Sequence, residues 1–291
     1  MQRTAIEQPP APLEHAIESG ADTRWLALVG AGLLVLYAPT FRWLLARWTI
    51  SVWHNAHGMF VLPLAAWLAA IELKRCRPLP VEGSAWGFLF LVPAMALQAV
   101  DAGLHTELLS AVSFLLALPG LSLLFLGVRR TRAIRFPLLF TWFALPIPLG
   151  LTETLHLVLR QITAHSVAAV LPAIGFPVYL EGTTLQLARG AVEVADACSG
   201  FSTLYAALAT ACLTAYMAQT PIRRALPLIA AAPIALASNV LRVALLVWLV
   251  QWRGDGILHT FLHPFSGLLT FALTLPLIFW LGGDAKPKAA A

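Results

Sequence analysis

The apolar residues of this chain fall into blocks, and a block of about 20 residues is enough for a helix to cross a bilayer. Eight such blocks can be read: 25–46, 58–73, 85–101, 108–127, 136–151, 198–219, 226–251 and 264–282. The second, third and fifth are short. Pro146 and Pro148 are expected to break the outer end of the fifth, because proline lacks the amide proton that continues a helix. Between the fifth and sixth blocks the pattern changes. In 152–175, TETLHLVLRQITAHSVAAVLPAIG, the residues Leu155, Leu159, Ile162, Val167 and Val170 are spaced for one helical face, with His156, Arg160 and His165 interspersed. This predicts an amphipathic helix on the outer membrane surface, ending at Gly175 and Pro177. The period then shortens towards two, through Val178, Leu180, Thr183, Leu185, Leu187, Val192 and Val194, which predicts a short hairpin turning at Arg189-Gly190.

The expected fold is an all-α polytopic membrane protein of about eight transmembrane helices. A small extracytoplasmic cap, 152–195, precedes the sixth span. The polar, proline-containing residues 1–24 read as a disordered cytoplasmic tail with no signal-peptide pattern. Residues 25–283 form a single transmembrane domain and 284–291 a second cytoplasmic tail. No internal repeat is visible.

Composition agrees. The chain is 59% hydrophobic and 11% charged, against about 25% charged in soluble domains, and its mean hydropathy is +0.79. The net charge of +5 is scattered, which argues against nucleic acid as a partner and leaves lipids as the surroundings. Charge instead sets topology. Arg3, Arg24, Lys74, Arg75, Arg77, Arg129, Arg130, Arg132, Arg135, Arg223, Arg224, Lys286 and Lys288 are 13 of the 19 basic residues and fall on one side. The opposite loops hold Arg47, Arg160, Arg189 and Arg253. The positive-inside rule then places both termini in the cytoplasm. Glu72 is expected to pair with Lys74 or Arg75.

That orientation brings three polar groups into the outer layer. Cys198, in VEVADACSGFST, starts the sixth span, where the helix dipole and unsatisfied amides favour a thiolate. Ser199 and Gly200 keep its surroundings small and could expose amides to an oxyanion. The bland alternative is a small buried hydrophobe. Cys76 and Cys212 are too far from it, and too few, for a disulfide framework. Arg242, in SNVLRVALL, is a charge inside a span, which marks function unless it snorkels outward. Asn239, at i−3, shares its face and could orient the guanidinium. His263 precedes Pro264, a residue suited to a first helical turn, so it caps the eighth span; the alternative is an interfacial histidine. His259, His263, Asp196 and Cys198 could also ligate zinc, although Pro264 interrupts the helix that would align the two histidines. The expectation is no metal and no cofactor. His54 and His57 lie in an outer loop and could line the same site.

Three motifs in order, DACSGF (196–201), NVLR (239–242) and HPFSG (263–267), resemble those of the exosortase/archaeosortase family of multi-pass membrane cysteine transpeptidases. AHGMFVLPLAAWL (56–68) and IGFPVYLEGTTLQL (174–187) add to a likeness covering roughly 50–282. The resemblance implies a catalytic Cys198, Arg242 and His263, supported by Asp196, Ser199, Gly200, Asn239, Ser266 and Gly267. It implies an enzyme in the bacterial inner membrane with its site facing the periplasm. Its substrates would be secreted proteins bearing a C-terminal signal: a Pro-Glu-Pro-type motif, a transmembrane helix and a basic tail. The cut protein would pass to an unidentified acceptor, often alongside exopolysaccharide export. Two other classes stay open on the residues alone. One is a transporter or lipid- or polysaccharide-handling protein using Arg242 and the histidines on an anionic group. The other is a structural partner in a secretion complex.

Overall fold

A computed structural model describes residues 20–49, 55–77 and 82–283. Most of both expected tails, and His54, lie outside these residues. The helices run α1 (Gly20–Leu36), α2 (Ala38–Thr49), α3 (Gly58–Arg75), α4 (Phe88–Leu104) and α5 (Leu108–Ala133). They continue with α6 (Arg135–Phe140), α7 (Leu149–Ala173), α8 (Phe201–Met217), α9 (Pro221–Arg253) and α10 (Leu262–Gly282). Helix α1 begins inside the segment expected as tail.

Four described helical segments are long and apolar enough to cross a membrane: Ala85–Leu104, Leu108–Ala133, Pro221–Arg253 and Leu262–Gly282. The pair Leu28–Leu36 and Ala38–Thr49, bent by 57°, makes a fifth if it is counted as one span. By length and composition, four or five of the expected eight spans are therefore found among the described residues. Helix α3 occupies the second block but ends in Glu72, Lys74 and Arg75. Helix α8 is apolar but has only 17 residues. The fifth block is not one helix. It breaks into α6, a 3-10 turn at Thr141–Ala144 and extended backbone before α7 starts after Pro148. Pro146 and Pro148 do more than fray its end; they divide the block and hand its last residues to α7.

The cap contains three strands rather than one hairpin. β1 (Tyr179–Glu181), β2 (Thr184–Leu187) and β3 (Gly190–Glu193) form an antiparallel sheet in that order. Gly182, at φ 62°, provides the left-handed backbone of the first turn, and the second falls at Ala188-Arg189, one residue earlier than expected. Alternation puts Leu185 opposite Val192, and both are buried with Val194.

Helix α7 divides its apolar residues between a buried and an exposed side. Its buried residues are His156, Thr163, Ala164, Val167 and Leu171. Ile162 and Val170, from the expected apolar face, are exposed with Leu157 and Val158. The inward face meets the polar 196–199 turn through His156 and packs Val167 and Leu171 into the core. Ala164, Val167 and Leu171 join Leu185, Val192, Val194 and Cys198 with Val243, Leu246, Val247 and Val250 of α9 in one core. The cap is thus built onto the C-terminal half of α9.

Beneath it, α8, α9 and α10 pack through Ala207, Ala211, Ala231, Ala235 and Ile278. Small residues let helix backbones approach closely, which is the main route to helix association in lipid. Gly282 continues this packing, because a Cβ there would collide with the Thr214 side chain of α8.

Leu185→Ala should destabilise the cap by about 2–5 kcal/mol, the usual cost of truncating a fully buried leucine. Tyr179→Ala, at a side chain 71% exposed, should be nearly neutral. Thermal unfolding in detergent checks both; equal effects would mean that the sheet is not packed on α9.

Candidate functional site

The site begins where β3 ends. Asp196–Cys198 forms a 3-10 turn, and Gly200 is the N-cap of α8 at φ 81°, ψ 5°. Cys198 therefore sits in a turn ahead of α8 and outside the membrane-spanning segments, not at the first residues of a helix. Left-handed backbone favours glycine, and space forbids anything else at 200. A Cβ there would lie 2.6 Å from Cγ of Asn239. Asn239 comes this close because its Nδ2 donates to the Cys198 carbonyl at 2.9 Å and to Thr163 Oγ1 at 3.1 Å. These two bonds fix the backbone of Cys198 rather than the guanidinium that Asn239 was expected to orient.

Arg242, one turn further along α9, is 9% exposed. Its Nε donates to Ser266 Oγ at 3.0 Å, and that hydroxyl donates to the His263 carbonyl at 2.7 Å. Gly267 leaves room beside the guanidinium, where a Cβ would stand 3.4 Å from Nη2. His263 lies in the first turn of α10. Its Nε2 is 3.7 Å from Cys198 Sγ, a long contact of the kind catalytic pairs often show without substrate. The structure thus brings together Cys198, Arg242 and His263 from three elements. It also gathers Ser199, Gly200, Asn239, Ser266 and Gly267 around them.

Asp196 points elsewhere. It is exposed and forms an ion pair with Arg160 of α7 at 3.4 Å, an arrangement that contributes little energy at a wet surface. His57 packs edge-on against Tyr205, with centroids 4.7 Å apart, and burial pushes its pKa down to about 4. It is therefore neutral. The side chain of His259 lies outside the described residues.

Helix α7 supplies partners that the sequence reading did not assign. The Ser199 hydroxyl donates to the Asp196 carbonyl at 2.8 Å and accepts from the Phe201 amide at 3.2 Å. His156 Nδ1, 2.7 Å from the same oxygen, must then be the donor. Burial holds this imidazole below its ordinary pKa, against the pull of Asp196. The signal was present: His156, Arg160 and Thr163 recur at four and three residues, which is one helical face.

Electrostatics correct a second expectation. Burial raises the Cys198 thiol above its ordinary pKa, and the charge of Arg242 only partly opposes this. The resting group is a thiol, 2% exposed. The amides of Cys198 and Ser199 also donate to the carbonyls of Ala195 and Asp196 inside the turn. They are committed there, so the cation beside the sulfur is the group placed to meet a developing negative charge. A thiol, an imidazole and a guanidinium held together are the parts of a nucleophilic acyl-transfer site.

Residues 48–280 match the family model described as transmembrane exosortase. The chain belongs to that family. No curated protein and no solved structure matches it.

Gly200→Ala should cost at least about 1–2 kcal/mol from backbone handedness alone, with further loss from displacing Asn239. Gly267→Ala should be tolerated. Unfolding temperatures in detergent decide between them, and a stable Gly200→Ala protein would contradict the contact with Asn239.

In a Cys76→Ala, Cys212→Ala background, the rate of Cys198 alkylation by iodoacetamide should still be rising past about pH 8.5, the ordinary range of a free thiol. Arg242→Gln should move the profile to higher pH, because it removes the charge that favours the thiolate. A plateau below neutral pH would instead indicate a preformed thiolate.

Proposed function

We propose that this exosortase is a membrane-embedded cysteine protease and transpeptidase acting on the C-terminal sorting signals of secreted proteins. The signal is a Pro-Glu-Pro-type motif followed by a transmembrane helix and a basic tail. The observation that carries the reading is the 3.7 Å approach of Cys198 Sγ to His263 Nε2, with Arg242 tied to the same helix turn through Ser266.

The chemistry follows from those positions. His263 Nε2 takes the thiol proton as Sγ bonds to the peptide carbonyl carbon. The carbonyl oxygen becomes an oxyanion beside the Arg242 guanidinium. Collapse breaks the C–N bond, and the departing amine takes the proton from His263. The thioester then meets an acceptor amine, hydroxyl or water. His263 accepts the acceptor's proton, and Cys198 is released as the leaving group and reprotonated. This order suits a buried thiol, since no free thiolate has to persist between turnovers.

The proposed orientation has both termini in the cytoplasm of a bacterial cell and the site at the periplasmic face of the inner membrane. It rests on the side bias of the basic loops. Such an enzyme would be placed to act on proteins that leave with exopolysaccharide.

Coexpression with a substrate carrying the signal tests the assignment through the size shift on loss of its C-terminal helix. Cys198→Ala, Cys198→Ser, Arg242→Ala and His263→Ala should each lower processing by about a hundredfold or more without lowering membrane abundance. Arg242→Lys should also fail, because an ammonium cannot reproduce the planar fork that reaches Ser266 and the reacting oxygen together. Asp196→Asn should be mild and His259→Ala milder than His263→Ala. Normal processing by Cys198→Ser or Arg242→Ala would sink the mechanism. The same pair of results would favour a transporter or a structural role.

A further inference from the structure

A sizeable cavity lies far from Cys198. It occupies about 640 Å³ and is lined by Arg129, Arg132, Arg135, Arg224, Phe136 and Leu139, among others. Ala215 and Tyr216, near the end of α8, also face it. Cys198 precedes the opposite end of that helix, roughly 25 Å away at 1.5 Å per residue. The proposed catalytic chemistry uses none of these groups.

Its shape follows from a break in α5. Gly127 has φ 77° and ψ 175° inside that helix, and a Cβ there would collide with the Glu82 carbonyl. The break redirects the last residues of α5, which carry Arg129 and Arg132. Arg135 comes from α6 and Arg224 from the first turn of α9, where its Nε is fixed on the Ala218 carbonyl at 3.0 Å. A neighbouring cavity of about 400 Å³ shares Arg129 and Arg132, so the basic surface is continuous. Of the two carboxylates in these linings, Glu82 borders the neighbouring cavity, and Glu72 is already engaged by Arg75 at 3.1 Å and by the Tyr216 hydroxyl at 2.6 Å. The floor is firm, because the Tyr216 ring lies flat on Phe136 with centroids 3.9 Å apart.

We propose that this cavity binds the phosphate headgroup of an anionic phospholipid. Four guanidiniums from three elements suit a phosphate, which they can meet with paired donors. The cavity lies where α5 ends and α9 begins, both helices of spanning length, so it opens at headgroup depth. Beside the arginines is an apolar wall of Phe136 and Leu139, the latter 66% exposed. A free phosphate would leave that wall uncovered, whereas an acyl chain covers it. Basic recesses between membrane helices are a known setting for such headgroups.

The full-length protein in detergent micelles, analysed by native mass spectrometry with added phosphatidylglycerol or phosphatidylcholine, tests this. Wild type should retain phosphatidylglycerol preferentially. Arg129→Gln with Arg132→Gln should weaken retention by about fivefold for each arginine removed. Arg253→Gln, an exposed cation at the other end of α9, should leave it unchanged. Inorganic phosphate or pyrophosphate at millimolar concentration should not displace the lipid. Equal retention of the two lipids by wild type would overturn the proposal without recourse to any variant. So would equal loss with Arg253→Gln, or full retention by the double variant. Displacement by phosphate would reassign the cavity to a soluble anion.

Discussion

A guanidinium inside an apolar helix has to find its polar partners within the protein, and much of the structure around the C-terminal half of α9 is arranged around that requirement. Arg242 cannot be left bare in a hydrocarbon setting. Ser266 meets its Nε, Gly267 makes room for its Nη atoms, and the cap roofs the helix on which it sits. The Ser266 hydroxyl, after accepting from the arginine, passes its own proton to the His263 carbonyl. Solvating the charge therefore also positions the first turn of α10. The imidazole is held near the thiol through its backbone, without a carboxylate being required on its ring.

The same economy appears on the cysteine side. Gly200 is needed twice, once for its left-handed backbone and once so that Asn239 can reach the Cys198 carbonyl. Thr163 takes the second Asn239 proton, and His156 anchors Ser199. Helix α7 is thus a structural member of the site, although the residue types it contributes are small or modest. The same helix leaves Ile162 and Val170 exposed while Val167 packs in the core with Cys198.

What could be read from the sequence divides along physical lines. Spanning helices were legible because hydrophobic length is a strong signal; α4, α5, α9 and α10 fall close to their expected blocks. Cys198, Arg242 and His263 stood out because a thiol before a small-residue turn, a charge inside a span and a histidine before a proline are each unusual in lipid. Helix α10 nevertheless starts at Leu262, so His263 lies inside its first turn rather than at its cap. The fifth block was misread because prolines act through local backbone geometry, which average hydropathy does not register. The second strand pairing was missed because Gly182-Thr183 is a weak turn signal beside Arg189-Gly190. The oxyanion role expected of the turn amides narrows, because those of Cys198 and Ser199 donate within the turn. Whether an amide is available depends on the carbonyl three residues back, and a 3-10 turn consumes the very donors that an open loop would leave exposed.

Burial of the thiol bears on which reaction the proposed thioester would favour. Cys198 is 2% exposed, and the groups around it are engaged with one another rather than turned to solvent. Such a site needs a local opening to admit a peptide, and closure afterwards would again exclude bulk water. An acyl group held there would meet an acceptor bound in the opening more often than a free water molecule. A wet, open cleft would favour hydrolysis. A raised thiol pKa is a consequence of the same dryness, and proton transfer to His263 during attack offsets it. Low reactivity at rest and selectivity for transfer would then share one physical origin, the exclusion of water around a single fixed cation.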